Sequence, residues 1–580
     1  MKTEGFLAEF PPVSTEQWEH AIRESVAEPD YPSKLIWHPE EGVAVRPYYR
    51  AEDLAGLAFL NAPPGEFPYV RGTRTNGDWL IREVIDQRDP EEANRAGCDA
   101  VAAGAEEIAF SRTSIASTSD VALLMANLNE IPVHFGGLTH NSARVLADRL
   151  TNRAHAEAVS ADLDPLEDLE RSAELIRNAP PGFRPFAIHA DEFLERGAGV
   201  IEEIGFAVSA ALEFVDEVQK RGVNIDHATA SLGFSFAIGP EFFVQIAKLR
   251  AFRLVWAQIV DTFGGSRESA KAAVYARTAD WNQTVYDPHV NILRSTTGAV
   301  SAVLGGADSI EVAAFDECYK RPDESARRLA RNLQLLLKQE AHLSHVADPV
   351  GGSYAIEVLT HSIATKAWKL FQDMEAAGGY RNAKAEGIVD SVLQKRERAR
   401  QQAVDCRRLV LTGTNRFANA AEKALERTGG RGAGTAGVAH GFEELRLRTE
   451  SAAAGGETSQ ILLAEIGDAK MRTARSQFAA DFLACAGLST KTKRFESAEQ
   501  IAASDASLIV LCSSDPEYLP LAQELMPALK ERAASTCVLI AGNPATAAQL
   551  TNLGIVEFIH LRSNAVEVLS RLQKQIGIGG

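Results

Sequence analysis

At 580 residues, with 45% hydrophobic and 24% charged side chains, the chain is long enough for about two to four folded units and too apolar to be a disordered polymer. A formal charge of -18 argues against a nucleic-acid partner, because neutralising phosphates takes concentrated lysine and arginine. The six cysteines (Cys98, Cys318, Cys406, Cys485, Cys512, Cys537) show no paired spacing, which argues against a zinc ribbon or disulfide framework and suits a reducing cytoplasm.

The start, MKTEGFLAEFPPVSTEQWEHAI, is broken by acids and prolines and lacks the apolar centre of a signal peptide. No later run reaches membrane-spanning length, so no membrane partner is expected. From about Trp79 to about Leu359, short apolar runs alternate with helical patterns, as repeated βα units do. Strands are expected at EEIAFS (106–111), IPVHFGG (131–137), FRPFAI (183–188), ATASLGFSFAIG (228–239) and AAVYART (272–278). Between the last two lies PEFFVQIAKLRAFRLVWAQIVDTF, where Phe243, Ile246, Leu249, Phe252, Val255 and Ile259 recur at helical steps. So many units suit a closed (β/α)8 TIM barrel over residues 51–380 better than an open sheet.

Residues 381–458 turn highly charged (KRERARQQAVDCRRLVLTG) and then glycine-rich (TGGRGAGTAGVAHG), the expectation for a linker. GAGTAG (432–437) matches the dinucleotide-binding glycine pattern in form only: a charged helix precedes it instead of a buried strand. The run Lys395 to Arg400 reads as a solvated helix face rather than an anion site. His189-Ala190-Asp191-Glu192, after a strand, has the chemistry of metal ligands but no second ligand set, so polar residues at a strand end are the expected reading.

After the linker, ILLAEI, TKTKRF, LIVLC, CVLIAG and EFIHL alternate with helices, predicting a flavodoxin-like doubly wound parallel sheet over 459–580. Gly467-Asp468-Ala469-Lys470 is its first strand-to-helix turn, where such sheets place ligands.

Several long stretches carry a likeness that spacing alone does not give: VNIDHATASLGFSFAIGPEFFVQIAKLRAFRLVWAQIV, DPHVNILRSTTGAVSAVLGGADSIEVAAFDE and RRLARNLQLLLKQEAHLSHVADPVGGSYAIEVLT. In the family's order, they resemble the barrel of the methylmalonyl-CoA mutases, and FPPVSTEQWEHAI, within residues 1–50, resembles the arm that opens many of its chains. The resemblance implies a barrel that threads an acyl-CoA through its centre, and a flavodoxin-like domain that holds adenosylcobalamin for a radical rearrangement.

It also implies what this chain lacks. The family's cobalamin motif, Asp-x-His-x-x-Gly, falls on Asp468, Lys470 and Thr473, so the Asp remains while the cobalt ligand and the glycine are gone. The glycine-rich turns expected at the later strand ends are AGNPAT (541–546) and HLRSN (560–564), although Ser513 and Ser514 are family-like. In the barrel, the substrate-contacting His corresponds to Tyr275, Trp281 is kept, and neutral CoA-facing positions are Asp308 and Glu311. Arg71 to Arg82 is shortened, and the tyrosine facing the corrin has no counterpart.

Together these changes resemble the non-catalytic small subunit of the family's heterodimeric members. They imply no catalytic, cofactor-binding or metal residue in this chain, and adenosylcobalamin in a large catalytic partner subunit. Two other readings stay open: a cobalamin-dependent acyl-CoA mutase with atypical cofactor binding, or a barrel enzyme of different chemistry using Asp191, Glu192, Asp308 and Glu311.

Overall fold

The computed structural model describes residues 13–26, 31–39, 42–113, 115–151, 158–425, 437–454, 461–531 and 536–578. The glycines at 432–436 and the first residues of the arm lie outside these.

Eight parallel strands close into a barrel: β1 (Leu80–Ile85), β2 (Glu107–Phe110), β3 (Val133–Phe135), β4 (Val159–Leu163), β5 (Arg184–His189), β6 (Leu232–Ile238), β7 (Ala273–Thr278) and β8 (Ser309–Glu311). Closure runs through Leu80↔Ser309 and Arg82↔Glu311 between β1 and β8. All five strands expected from the sequence are present, and β1, β4 and β8 are additional.

The helix Phe242–Thr262 packs between the barrel and the helices Val200–Lys220 and Tyr354–Ala376, so most of its circumference is buried. Ile246, Leu249, Phe252, Val255 and Ile259 are buried as the periodicity predicts, but Phe243, in the first turn, is 58% exposed. The other faces carry charges matched in place. Lys248 Nζ donates to Glu203 Oε2 at 2.7 Å, and Arg250 forks onto both oxygens of Glu357 at 2.8 Å. Arg253 donates to the Gly305 carbonyl at 2.8 Å. Burial of this kind is tolerated only when such partners are present.

The second unit is a five-stranded parallel sheet in the order β10-β9-β11-β12-β13, with β9 (Ile461–Glu465), β10 (Thr490–Arg494), β11 (Leu508–Cys512), β12 (Cys537–Ala541) and β13 (Glu557–Ile559). This is the flavodoxin-like order, whose ligand crevice lies at the carboxyl ends of the strands beside the switch between β9 and β11. Central β9 and β11 are buried at every position, while edge strand β10 carries exposed lysines that discourage pairing with another sheet.

Part of the segment expected as a linker is helical, at Ile388–Asp405 and His440–Ala454. The basic run is not wholly solvated: Arg400 is buried and donates to the carbonyls of Leu194 and Ala198, both at 2.9 Å, with its guanidinium 4.3 Å from the Trp281 ring centre. Beyond it, Glu443 accepts from the Val285 amide at 2.9 Å, Glu450 from the Tyr286 hydroxyl at 2.6 Å, and Arg407 pairs with Asp481. The first two bonds tie the loop after β7 to the helix His440–Ala454, and the third ties the linker segment to the second unit. Among the described residues, no helix is long and apolar enough to cross a membrane.

Candidate functional site

A TIM barrel is ordinarily filled by layers of branched aliphatic side chains. Here small residues are interleaved with charged ones. Ala109, Gly136, Ser160, Gly233 and Ser235 leave a cavity of about 370 Å³, and the rest of its lining mixes ionic side chains with apolar and aromatic ones such as Leu80, Phe186 and Tyr275. Arg82, on β1, forks onto Glu107 of β2 with two bonds of 2.8 Å, and Ser309 of β8 hydrogen-bonds to the same carboxylate. The Tyr275 ring stacks 3.7 Å from the Arg82 guanidinium, and its hydroxyl donates to Glu311. Arg82, Glu107, Glu311 and Ser309 are all under 9% exposed, so this is a buried network along four adjacent strands, β7, β8, β1 and β2, on one side of the barrel.

At the carboxyl-terminal rim, Arg277 pairs with Asp280 and lies 3.9 Å from Asp191. Asp191 in turn lies 3.7 Å from the His189 imidazole. Burial pulls the His189 pKa down, but the negative charge of the adjacent Asp191, with Asp162 and Glu192, outweighs it and raises it to about 9. Burial alone raises Asp191, yet His189 and Arg277 bring it down to about 2. Burial, then the charge of Asp280, pushes Glu195 up to about 7. His134, hydrogen-bonded to Ser160 at 2.9 Å, is held well below its ordinary value by burial and by the charge of Arg82.

The raised His189 makes a testable contribution. Its folded pKa of about 9 exceeds the unfolded value of about 6.5, so its stabilisation is complete below the unfolded value and is lost as pH rises toward 9. With a third of the imidazole open to solvent, about 1–2 kcal/mol is expected in place of the full shift. Denaturant unfolding at pH 6 and pH 9.5 should show this loss in the native chain and a smaller one in His189→Gln. An equal pH dependence in the two proteins would remove the ion pair from the account.

The positions singled out in the sequence are divided between two places. Tyr275 and Glu311 join that network. Asp308 lies before β8, about 10 Å back along the strand from Glu311. It accepts from the Val274 amide at 2.8 Å and Thr73 Oγ1 at 3.2 Å, with Arg74 at 3.4 Å. Both carboxylates are therefore partnered within the protein. Glu192 is exposed, so Asp191, Glu192, Asp308 and Glu311 do not converge on one reacting position.

In the second unit, Asp468 caps the helix Ala469–Ala484 by accepting from the Met471 amide at 2.8 Å. Lys470 is exposed in the first turn, and the Thr473 hydroxyl donates to the Ala469 carbonyl at 3.1 Å. Sequence reasoning missed Glu517. Its carboxylate accepts from the hydroxyls of Ser513 and Ser514, each at 2.6 Å, and from the Asp468 amide at 3.2 Å. The two serine hydrogen bonds draw it down to about 2, so it is ionised at any working pH. A Cβ added to Gly467 would lie 2.5 Å from Glu517, which shows how closely that side chain covers the turn. Arg475 pairs with Asp515 at 3.0 Å beside Gly542, at the ends of β11 and β12.

The chain matches the methylmalonyl-CoA mutase family over residues 38–125 and 144–446. It is 35% identical to the methylmalonyl-CoA mutase small subunit of Porphyromonas gingivalis, across 99% of each chain. It is 31% identical to the small subunit of Streptomyces virginiae, across 98% of each. It is 29% identical to the methylmalonyl-CoA mutase large subunit of Streptomyces virginiae, over 70% of this chain and 62% of that one. With a barrel, a flavodoxin-like sheet and this extent of shared sequence, the chain belongs to the methylmalonyl-CoA mutase family.

Proposed function

We propose that this chain is the non-catalytic subunit of a cytoplasmic two-chain mutase, in which a large partner subunit binds adenosylcobalamin and interconverts methylmalonyl-CoA and succinyl-CoA. The observation that carries the reading is the turn after β9. Cobalt needs a neutral nitrogen lone pair, and Lys470 offers an exposed ammonium instead. The space in front of Gly467 is taken by Glu517, held by two serine hydroxyls and the Asp468 amide. Adenosylcobalamin does not fit this set of residues.

The barrel supports the same reading. The position of the family's substrate-contacting His is Tyr275, whose hydroxyl is bonded to Glu311. The two relatives named small subunits match along almost the whole length of this chain. A barrel without its own chemistry serves as a partner, through surfaces set by the same scaffold.

The test is association. Co-expressed with a homologous chain that keeps Asp-x-His-x-x-Gly, this protein is expected to elute as a stable one-to-one complex by size-exclusion light scattering. All turnover is expected to depend on the cobalt-ligating chain. Purely separate species, or succinyl-CoA formation by this chain alone, would overturn the proposal.

A further inference from the structure

A second cavity sits outside the barrel axis. About 630 Å³ in volume, it lies at the rim where β1 and β8 meet, beneath the outer helix Glu324–Leu335. Arg82 and Glu311 form the wall between it and the axial cavity. The size is that of a cavity for a small organic molecule.

Its lining is unusually rich in guanidinium groups. Arg321 pairs with Asp86 and Arg331 with Glu83, so those acids are already matched. Arg327 donates to the Pro322 carbonyl at 3.2 Å. Arg88 and Arg112, on the loops after β1 and β2, stand exposed at the mouth. Glu311 is engaged by Tyr275, while Glu92 and Glu317 complete the acidic side of the rim.

Arg88, Arg112 and Arg327 pair with no carboxylate among the described residues, so three guanidiniums of one cavity keep donors for an anion. Val312, Ala314, Pro322 and Ala330 add apolar lining. Guanidinium groups recognise phosphate through paired N–H donors, and the apolar lining suits a planar body.

We propose that this rim cavity binds a nucleoside phosphate, with the phosphate on Arg88, Arg112 and Arg327, and the base against Val312 and Pro322. The site lies apart from the cobalamin turn and shares Arg82, Val84, Ser111 and Glu311 with the axial cavity. The same chemistry is offered by a free nucleotide and by the phosphoadenosine end of a coenzyme A ester, and the two are separable by titration.

The experiment is isothermal titration of the purified chain with ATP, with coenzyme A and with inorganic pyrophosphate. It is repeated on Arg88→Ala, Arg112→Ala and the double variant, whose exposed positions leave the fold intact by circular dichroism. ATP or coenzyme A is expected to saturate one site, and each substitution to weaken binding about tenfold, because a charge-assisted pair to phosphate is lost. The tighter of the two ligands identifies the source. Pyrophosphate binding as tightly as either would overturn the apolar half of the proposal. Affinity unchanged in the double variant would move any binding away from the rim, and absence of saturable binding would overturn the site. None of these outcomes depends on whether the chain is catalytic, so failure here leaves the subunit reading untouched.

Discussion

A chain carrying Lys470→His and Thr473→Gly is expected to show no saturable adenosylcobalamin binding at micromolar concentration, and no succinyl-CoA formation above a no-protein background. The two substitutions restore the ligand and the glycine of the family motif but leave what surrounds them. Glu517 still covers Gly467, anchored by Ser513, Ser514 and the Asp468 amide, and ionised because those bonds hold its pKa at about 2. Arg475 and Asp515 still close the neighbouring strand ends.

In the barrel, Tyr275 still stands where the family has its substrate-contacting His, with its hydroxyl bonded to Glu311. One regained imidazole does not offset several such changes. Titration followed by visible absorbance, together with an assay of succinyl-CoA, checks both halves. Turnover by the isolated double variant would mean that the barrel is competent and that the non-catalytic reading is wrong. Binding without turnover would place the obstruction in the barrel alone.

The cofactor turn was legible because its residues are adjacent in sequence: Asp468, Lys470 and Thr473 occupy one strand-to-helix turn, and all three lie where the pattern puts them. Glu517 had a signal that could have found it. Ser514 and Glu517 have the three-residue spacing of a capping box, and the structure forms one there. What no local pattern reveals is that this carboxylate turns back onto Asp468, 49 positions away in sequence.

The barrel repeats that lesson on a larger scale. Strands β5, β6 and β7 were legible from apolar runs, whereas β1 (LIREVI) carries inward Arg82 and outward Glu83, and β8 has only three residues. Charges inside a strand look like a loop until their partners are known. Those partners are remote: Glu107 is 25 positions from Arg82, and Glu357 is 107 from Arg250. Composition likewise suggested a linker at KRERARQQ, because nothing local says that Arg400 turns inward onto Leu194 and Ala198.

Replacing Lys248 by methionine should destabilise the barrel by about 3–5 kcal/mol, the usual cost of stranding one member of a buried pair. Lys248 and Glu203 are both fully buried, with a 2.7 Å bond between them. Lys248 also donates to the Ala237 carbonyl, and Glu203 accepts from the Ala237 amide at 3.3 Å. The pair thus joins the helices Val200–Lys220 and Phe242–Thr262 to the end of β6. Without the ammonium, Glu203 must be buried as an anion or protonated, and burial already raises it to about 7 beside Lys248.

The sign of the pH effect follows. A carboxyl raised further in the folded state binds its proton more tightly there than when unfolded, so the variant should recover stability as pH falls from about 8 to 6. The double substitution Lys248→Met with Glu203→Leu removes both charges and leaves only the two Ala237 groups unmatched, which should cost about 1–3 kcal/mol for each group left unsatisfied. It is expected to be more stable than the single variant at pH 8. Urea unfolding followed by tryptophan fluorescence distinguishes the cases, with Trp256 buried on the same helix as Lys248. A single variant as stable as the native chain, or a double variant less stable than the single, would show that the pair does not brace the barrel, because only a stranded charge makes one substitution worse than two.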